Sequence, residues 1–109
     1  MIGGYNLTNL TLNFVEAYDP STQVWAASPT MPTARAGMSA ASSGGEIYVI
    51  GGDDASYTML ANVEQYTAST GTWNIVPSVP TPRTGLTVAA GHGKIYAIGG
   101  YYLLSGGGR

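Results

Sequence analysis

Cysteine is absent from this 109-residue chain, and charged residues are scarce. Without cysteine the chain has no disulfide, no thiolate metal site and no cysteine nucleophile. Its four basic residues form no cluster that could follow a phosphate backbone. No stretch approaches the roughly 18 to 20 continuous apolar residues of a membrane-spanning helix. We therefore expect neither a nucleic acid nor a membrane as a partner.

The residues that are abundant are typical of short strands joined by tight turns. The chain has 16 glycines and eight tyrosines, and 44% of its residues are apolar. This apolar content argues against disorder, and the combination with many Thr and Ser favours β-structure. No segment shows the period of an amphipathic helix. The sequence therefore predicts an all-β protein.

The sequence repeats itself with a period of 48 residues and no gap. Residues 1–48 aligned with residues 49–96 share 19 identities, which is enough to establish an internal repeat. A period in this range is typical of proteins in which each unit buries its apolar face against a neighbouring unit. The recurring residues include Gly3, Gly51 and Gly99; Gly4, Gly52 and Gly100; Glu16 and Glu64; Tyr18 and Tyr66; Trp25 and Trp73; and Arg35 and Arg83. About two units are present, so we expect the function to depend on assembly.

Each unit is predicted to contain four short antiparallel strands, named a, b, c and d. In the central unit they are predicted at residues 37–42, 47–52, 63–66 and 73–76. Strand b is β-branched and aromatic, as strands prefer, and it is apolar on both faces, as expected for a sheet packed between two others. A turn is predicted at Asp19-Pro20-Ser21-Thr22, in which Asp19 bonds the backbone ahead of it.

These features resemble the kelch repeat, which is one blade of a β-propeller. The resemblance is carried by an apolar strand ending in Gly51-Gly52, then Val63-Glu64-Gln65-Tyr66, then Trp73, and finally Pro80-Thr81-Pro82-Arg83-Thr84-Gly85. It extends from Ile2 to Gly100, although Thr67-Ala68 replaces the usual Asp-Pro. It implies a kelch-type β-propeller built of four-stranded blades, with six blades as the commonest number.

The strand order predicts one whole blade and two halves in each chain. The expected boundaries are a half-blade at 1–36, a full blade at 37–84, a half-blade at 85–100 and a tail at 101–109. The first half supplies strands c and d and the last half supplies a and b, on opposite sides of the whole blade. We expect copies to join head to tail into a closed ring. Two, three or four chains would give four, six or eight blades, and the resemblance favours a homotrimer.

Most conspicuous side chains are repeated, which indicates a structural role. A buried lone carboxylate is costly, so Glu16 and Glu64 need partners, and Arg35 and Arg83 are the candidates. The repeated aromatic residues are predicted to pack between blades, and the double glycines to allow close approach or positive φ. Because a catalytic residue is needed only once, we predict no catalytic residue and no cofactor.

The loop after strand b is not repeated, and variable loops on a rigid scaffold are where binding is usually built. The resemblance places the b–c and d–a loops on one face, so a ligand site is predicted at Tyr5, Asn6, Asp53, Asp54 and Tyr57. His92 is the only histidine, and no metal site is predicted.

The favoured function is a non-enzymatic binding or scaffold module that self-assembles into a propeller and takes a protein or glycan ligand. One alternative is a natural or engineered fragment whose main property is self-assembly. The other is a sugar-modifying enzyme on a kelch-like ring, which would need an unrepeated acid–base pair.

Overall fold

The structure is a computed structural model that describes residues 2–4, 11–54, 56 and 58–101. It contains eight strands: β1 (Val15–Asp19), β2 (Val24–Ser28), β3 (Ser39–Ser43), β4 (Glu46–Ile50), β5 (Val63–Thr67), β6 (Thr72–Val76), β7 (Thr87–Gly91) and β8 (Lys94–Ile98). Within these residues no helix is long and apolar enough to cross a membrane. The all-β prediction is confirmed.

The strands form three antiparallel sheets. The central sheet has four strands in the order β3-β4-β5-β6, and it is flanked by the hairpins β1-β2 and β7-β8. In the central sheet, β4 pairs with β5 so that Glu46 lies opposite Thr67 and Ile50 opposite Val63. Ile2 forms an isolated antiparallel bridge with Val15, which places the N-terminal residues at the free edge of β1.

Strand b of the central unit ends two residues earlier than predicted. β4 stops at Ile50 because Gly51 and Gly52 have φ angles of 73° and 92°, in the left-handed region that glycine adopts without a steric penalty. A Cβ on Gly51 would lie 2.5 Å from the carbonyl oxygen of Arg83. The double glycine therefore ends the strand and lets the next unit approach closely.

β4 is buried on both faces, and its side chains alternate between two apolar clusters. Val49 packs with Val15 and Met31 of the preceding unit. Ile50 packs with Leu86 and Val88 of the following unit, and Val63 belongs to the same cluster. The central sheet is thus held between the two hairpins, as the two-sided apolar pattern of this strand predicted.

The outer faces of the two hairpins are largely uncovered. Ile98 is 57% exposed, whereas Ile50, one repeat period earlier, is 3% exposed. The exposed large apolar side chains of the first hairpin and its flank are Phe14, Tyr18, Val24 and Trp25, and those of the last hairpin and its flank are Tyr96, Ile98 and Tyr101. The fold is therefore a blade-like fragment of a propeller with apolar surface at both ends.

Candidate functional site

A buried ion pair lies at the centre of the fragment. Nη2 of Arg35 lies 2.9 Å from Oε1 of Glu64, and both side chains are 0% exposed. Nη1 of Arg35 also donates to the carbonyl oxygens of Gly51 and Asn62, at 3.0 and 3.1 Å. Oγ1 of Thr33 donates to the second carboxylate oxygen of Glu64 at 2.7 Å. These contacts offset part of the loss of water around both charges, while the buried Nε of Arg35 has no hydrogen-bond partner among the described residues.

Burial lowers the pKa of Arg35 below its ordinary value, because removal from water disfavours the charged guanidinium. The negative charge of Glu64 and its hydrogen bond act in the opposite direction. An arginine remains protonated in proteins even so. Arg35 therefore carries a fixed positive charge and is not a proton donor or acceptor at neutral pH.

Arg35 connects two units, since its backbone and its side chain bind different ones. Its carbonyl oxygen accepts from the amide of Gly4 at 2.9 Å, and its amide donates to Leu12 at 3.1 Å. Its guanidinium reaches the central sheet, as described above. Because Arg35 forms hydrogen bonds with the N-terminal unit and with the central unit, it fixes the position of one unit against the other.

Arg83 repeats the backbone contacts of Arg35 and one contact of its guanidinium, but not the ion pair. Its carbonyl oxygen accepts from Gly52 at 2.9 Å and its amide donates to Leu60 at 3.2 Å. Its Nη1 donates to the carbonyl oxygen of Gly99 at 3.0 Å. Glu16 is exposed on β1, on the other side of the central sheet. The structure thus brings Arg35 to Glu64 but does not bring Arg83 to Glu16 within one chain.

The repeated aromatic residues form two equivalent ring pairs. Tyr66 and Trp73 have centroids 5.1 Å apart, and Tyr18 and Trp25 have centroids 5.2 Å apart. Nε1 of Trp73 also donates to the carbonyl oxygen of Pro29 in the preceding unit, at 2.9 Å. Trp25, in contrast, is 57% exposed. The pair in the central sheet bridges two units, whereas both rings of the pair in the first hairpin are exposed.

In the described part of the predicted ligand site, Asp53 and Asp54 form hydrogen bonds with other residues of the chain. The backbone of Asp53 forms a two-way bridge with Ala36, and its Oδ1 lies 3.4 Å from Oγ1 of Thr84, which donates to it. Oδ1 of Asp54 accepts from the amides of Ser56 and Thr58, at 2.9 and 3.0 Å. The other predicted members of this site, Tyr5, Asn6 and Tyr57, lie outside the described residues.

Two threonines complete the polar contacts and were not singled out from the sequence. Thr33 donates to Glu64. Its recurrence as Thr81 within the Pro-Thr-x-Arg pattern could have indicated a structural role from the sequence alone. Thr84 is buried, and its single hydroxyl proton is shared between the carbonyl oxygen of Gly37, at 3.2 Å, and Oδ1 of Asp53. The equivalent residue in the first unit is Ala36, so no repetition indicates a role for Thr84.

An apolar cleft of about 340 Å³ opens between the first hairpin and the central sheet. Val15, Ala17 and Tyr18 line one side, and Ile47 and Tyr66 line the other. Its lining suits the burial of further apolar side chains. In the part of the chain that the structure describes, no group of three or more His, Asp or Glu residues could hold a metal ion.

The family model of the kelch motif matches residues 34–80. This segment is similar to a kelch motif. The matched segment contains all four strands of the central sheet, together with both members of the buried ion pair. This similarity, in an all-β chain of antiparallel sheets, supports a blade-like fragment of a β-propeller.

Proposed function

We propose that this chain is a non-enzymatic kelch-type binding and scaffold module that completes a β-propeller by assembling with copies of itself. One observation carries the proposal. β7 and β8 repeat the positions of β3 and β4, whereas β1 and β2 repeat those of β5 and β6. The two hairpins are therefore the complementary halves of one four-stranded blade.

Assembly explains the uncovered faces of the fragment. Exposed strand edges with apolar side chains promote aggregation, and proteins cover them by pairing or closure. Head-to-tail joining of the last hairpin of one copy to the first hairpin of the next covers both. The chain then supplies the half-blades 1–36 and 85–100 and the full blade 37–84.

Three copies give the six blades that are commonest in kelch propellers, so we propose a homotrimer. Light scattering coupled to size-exclusion chromatography should give about three times the chain mass of 11.2 kDa. A folded monomer at the same concentration would contradict the proposal. A dimer or tetramer would change the number of blades and leave the assembly in place.

The proposed ligand is a protein or a glycan, bound at the face that carries the b–c and d–a loops. Its support is that Asp53, Asp54 and Tyr57 stand in an unrepeated loop that follows a buried strand. A glycan array and binding to candidate proteins should compare the wild type with Tyr57→Ala. Binding that this substitution leaves unchanged would exclude the site. An assembled protein without any ligand would favour self-assembly as the main property.

A further inference from the structure

We infer that β8 of one copy pairs with β1 of the next and that Arg83 binds the partner's Glu16. This interface rests on the proposed self-assembly and specifies its strands, register and charges. Its template is present inside the chain, because the central sheet shows how the same repeated residues interact when all four strands are there. The equivalent contact between copies is found by adding 48 to the residue number on β4, which gives β8, and subtracting 48 from the residue number on β5, which gives the partner's β1.

The register of the new strand pair follows from the pairing of β4 with β5. There, Glu46 lies opposite Thr67, Val49 opposite Glu64 and Ile50 opposite Val63. The equivalent pairs between copies follow. They are Lys94 with the partner's Asp19, Ala97 with the partner's Glu16, and Ile98 with the partner's Val15.

The charges at the two ends are complementary in this register. The last half of the described chain carries Arg83 and Lys94, and the first hairpin carries Glu16 and Asp19. Lys94 is the only lysine of the chain, and it takes the place held by Glu46 in the central unit. Opposite charges directly across two strands stabilise their pairing, and complementary charges fix register and direct association. These charges therefore favour a second copy as the occupant of this face.

The side chain of Arg83 is already held in the position that the ion pair requires. Nη1 lies 3.0 Å from the carbonyl oxygen of Gly99, the same distance that separates Nη1 of Arg35 from the carbonyl oxygen of Gly51. The remaining partners of Arg35 come from strand c and the residues before it. For Arg83 these are the carbonyl oxygen of the partner's Phe14 and the carboxylate of the partner's Glu16.

The apolar surfaces of the two ends also correspond. Tyr96 and Ile98 are exposed on β8, whereas their equivalents Tyr48 and Ile50 pack against the following unit. Pairing of β8 with the partner's β1 brings Tyr96 and Ile98 to the cleft beside the partner's Ile47. The new interface thus buries the side chains that the single chain leaves in water.

Engineered disulfides test the register, because the chain has no cysteine of its own. In the central sheet Tyr48 lies opposite Gln65, so Tyr96 should lie opposite the partner's Ala17. The double variant Ala17→Cys with Tyr96→Cys should form disulfides between copies after oxidation. A non-reducing gel should then show a covalent species whose size counts the chains in the ring.

Two matched variants complete this experiment. Tyr48→Cys with Gln65→Cys should close a disulfide within one chain and shows that the strand geometry permits the bond. Ala17→Cys with Ala97→Cys should stay unlinked, because a shift of one residue places the side chains on opposite faces.

The outcomes separate the interface from the assembly. Linkage of the first variant between copies, without linkage of the shifted one, supports the interface. An assembled first variant that stays unlinked while the internal pair closes overturns the interface and leaves self-assembly standing. Linkage of the shifted variant with equal yield also overturns it. A single-chain mass for the wild type overturns the proposed function itself.

Discussion

Arg35 is the residue whose removal should damage the fold most. Arg35→Ala leaves the carboxylate of Glu64 buried without its charge partner, and breaking a buried ion pair on one side costs about 3–5 kcal/mol. The double variant Arg35→Met with Glu64→Leu should recover most of this loss, because it buries no charge. Urea unfolding of the three proteins measures the differences. Equal stability of Arg35→Ala and the wild type would contradict the structural role.

Arg83→Ala should act differently from Arg35→Ala, although the two residues are equivalent in the repeat. Within its own chain the guanidinium binds a backbone oxygen and not a buried carboxylate. Its removal therefore leaves no buried charge without a partner, and the fold of the single chain should persist. The proposed ring should dissociate and its melting temperature should fall, because the partner's Glu16 loses its counter-charge. Light scattering and thermal unfolding at several concentrations measure both effects. Unchanged melting would mean that Arg83 is not needed for assembly and could bind an anionic ligand instead.

Gly51 and Gly99 offer a matched comparison of backbone approach. Their φ angles are 73° and 69°, so alanine at either position carries a similar left-handed strain of about 1–2 kcal/mol. A Cβ at Gly51 would meet Arg83 and Leu86, whereas one at Gly99 has nothing within 4 Å.

Gly51→Ala should therefore destabilise the dilute single chain more than Gly99→Ala does, as measured by urea unfolding. In the proposed ring the two variants should become similar, because Gly99 then meets the partner's backbone. Equal costs in the dilute chain would show that the close approach at Gly51 is unimportant.

Repetition in the sequence singled out two arginines and two glutamates but could not pair them. Arg35 and Glu64 were both expected to be structural, yet either arginine could have served either glutamate. Which arginine binds Glu64 depends on how the segment before β3 lies against β5, and the two side chains that meet there are 29 residues apart in the sequence. Such a contact leaves no local pattern. Thr84 shows the limit more clearly, since an unrepeated buried residue carries no signal in a repeat.

At the scale of the strands, local patterns were sufficient to place all four elements of the central unit. Predicted strands b, c and d overlap β4, β5 and β6, and differ by one or two residues at their ends. The differences have a conformational cause. Gly37 has a φ of 67°, so β3 begins at Ser39 and not at the glycine that opens the predicted strand. The sequence shows that a glycine is present but not which φ it adopts.

The turn between β1 and β2 should respond to pH. Oδ1 of Asp19 accepts from the amide and the hydroxyl of Ser21, at 2.9 and 2.7 Å, as its turn sequence predicted. These bonds lower the pKa of Asp19 from 3.8. Because the folded pKa lies below the unfolded one, the stabilisation is present above about pH 3.8 and is lost as the pH falls through the folded pKa.

The NMR signal of the Ser21 amide should follow this protonation, and Asp19→Asn should abolish its response. The turn after β5 is an internal control, because Thr67 stands at the position equivalent to Asp19 and does not titrate. An equal response of the amide of Ser69, which is equivalent to Ser21, would show that the change comes from global unfolding and not from Asp19.

At the scale of the whole molecule, the two ends compete for one place. Ile2 bridges Val15, and the amides of Gly3 and Gly4 donate to the carbonyl oxygens of Phe14 and Arg35, both at 2.9 Å. The segment 98–100 is equivalent to residues 2–4 in the repeat. Only one of them fits beside β1, so residues 2–4 must leave when β8 of a partner arrives.

The longer of the two competing segments should win. β8 brings five residues and its hairpin partner β7, whereas residues 2–4 contribute one bridge and the three backbone hydrogen bonds that Gly3 and Gly4 form with Phe14, Arg35 and Leu12. Deleting residues 1–3 should therefore cost the assembled protein little and should shift the assembly to lower concentration, because a competitor is gone. Deleting residues 95–100 should abolish assembly, since it removes the strand that carries Ile98. Light scattering over a dilution series compares the two deletions with the wild type. Assembly lost on the N-terminal deletion and kept on the other would mean that residues 2–4 form the edge strand of the composite blade.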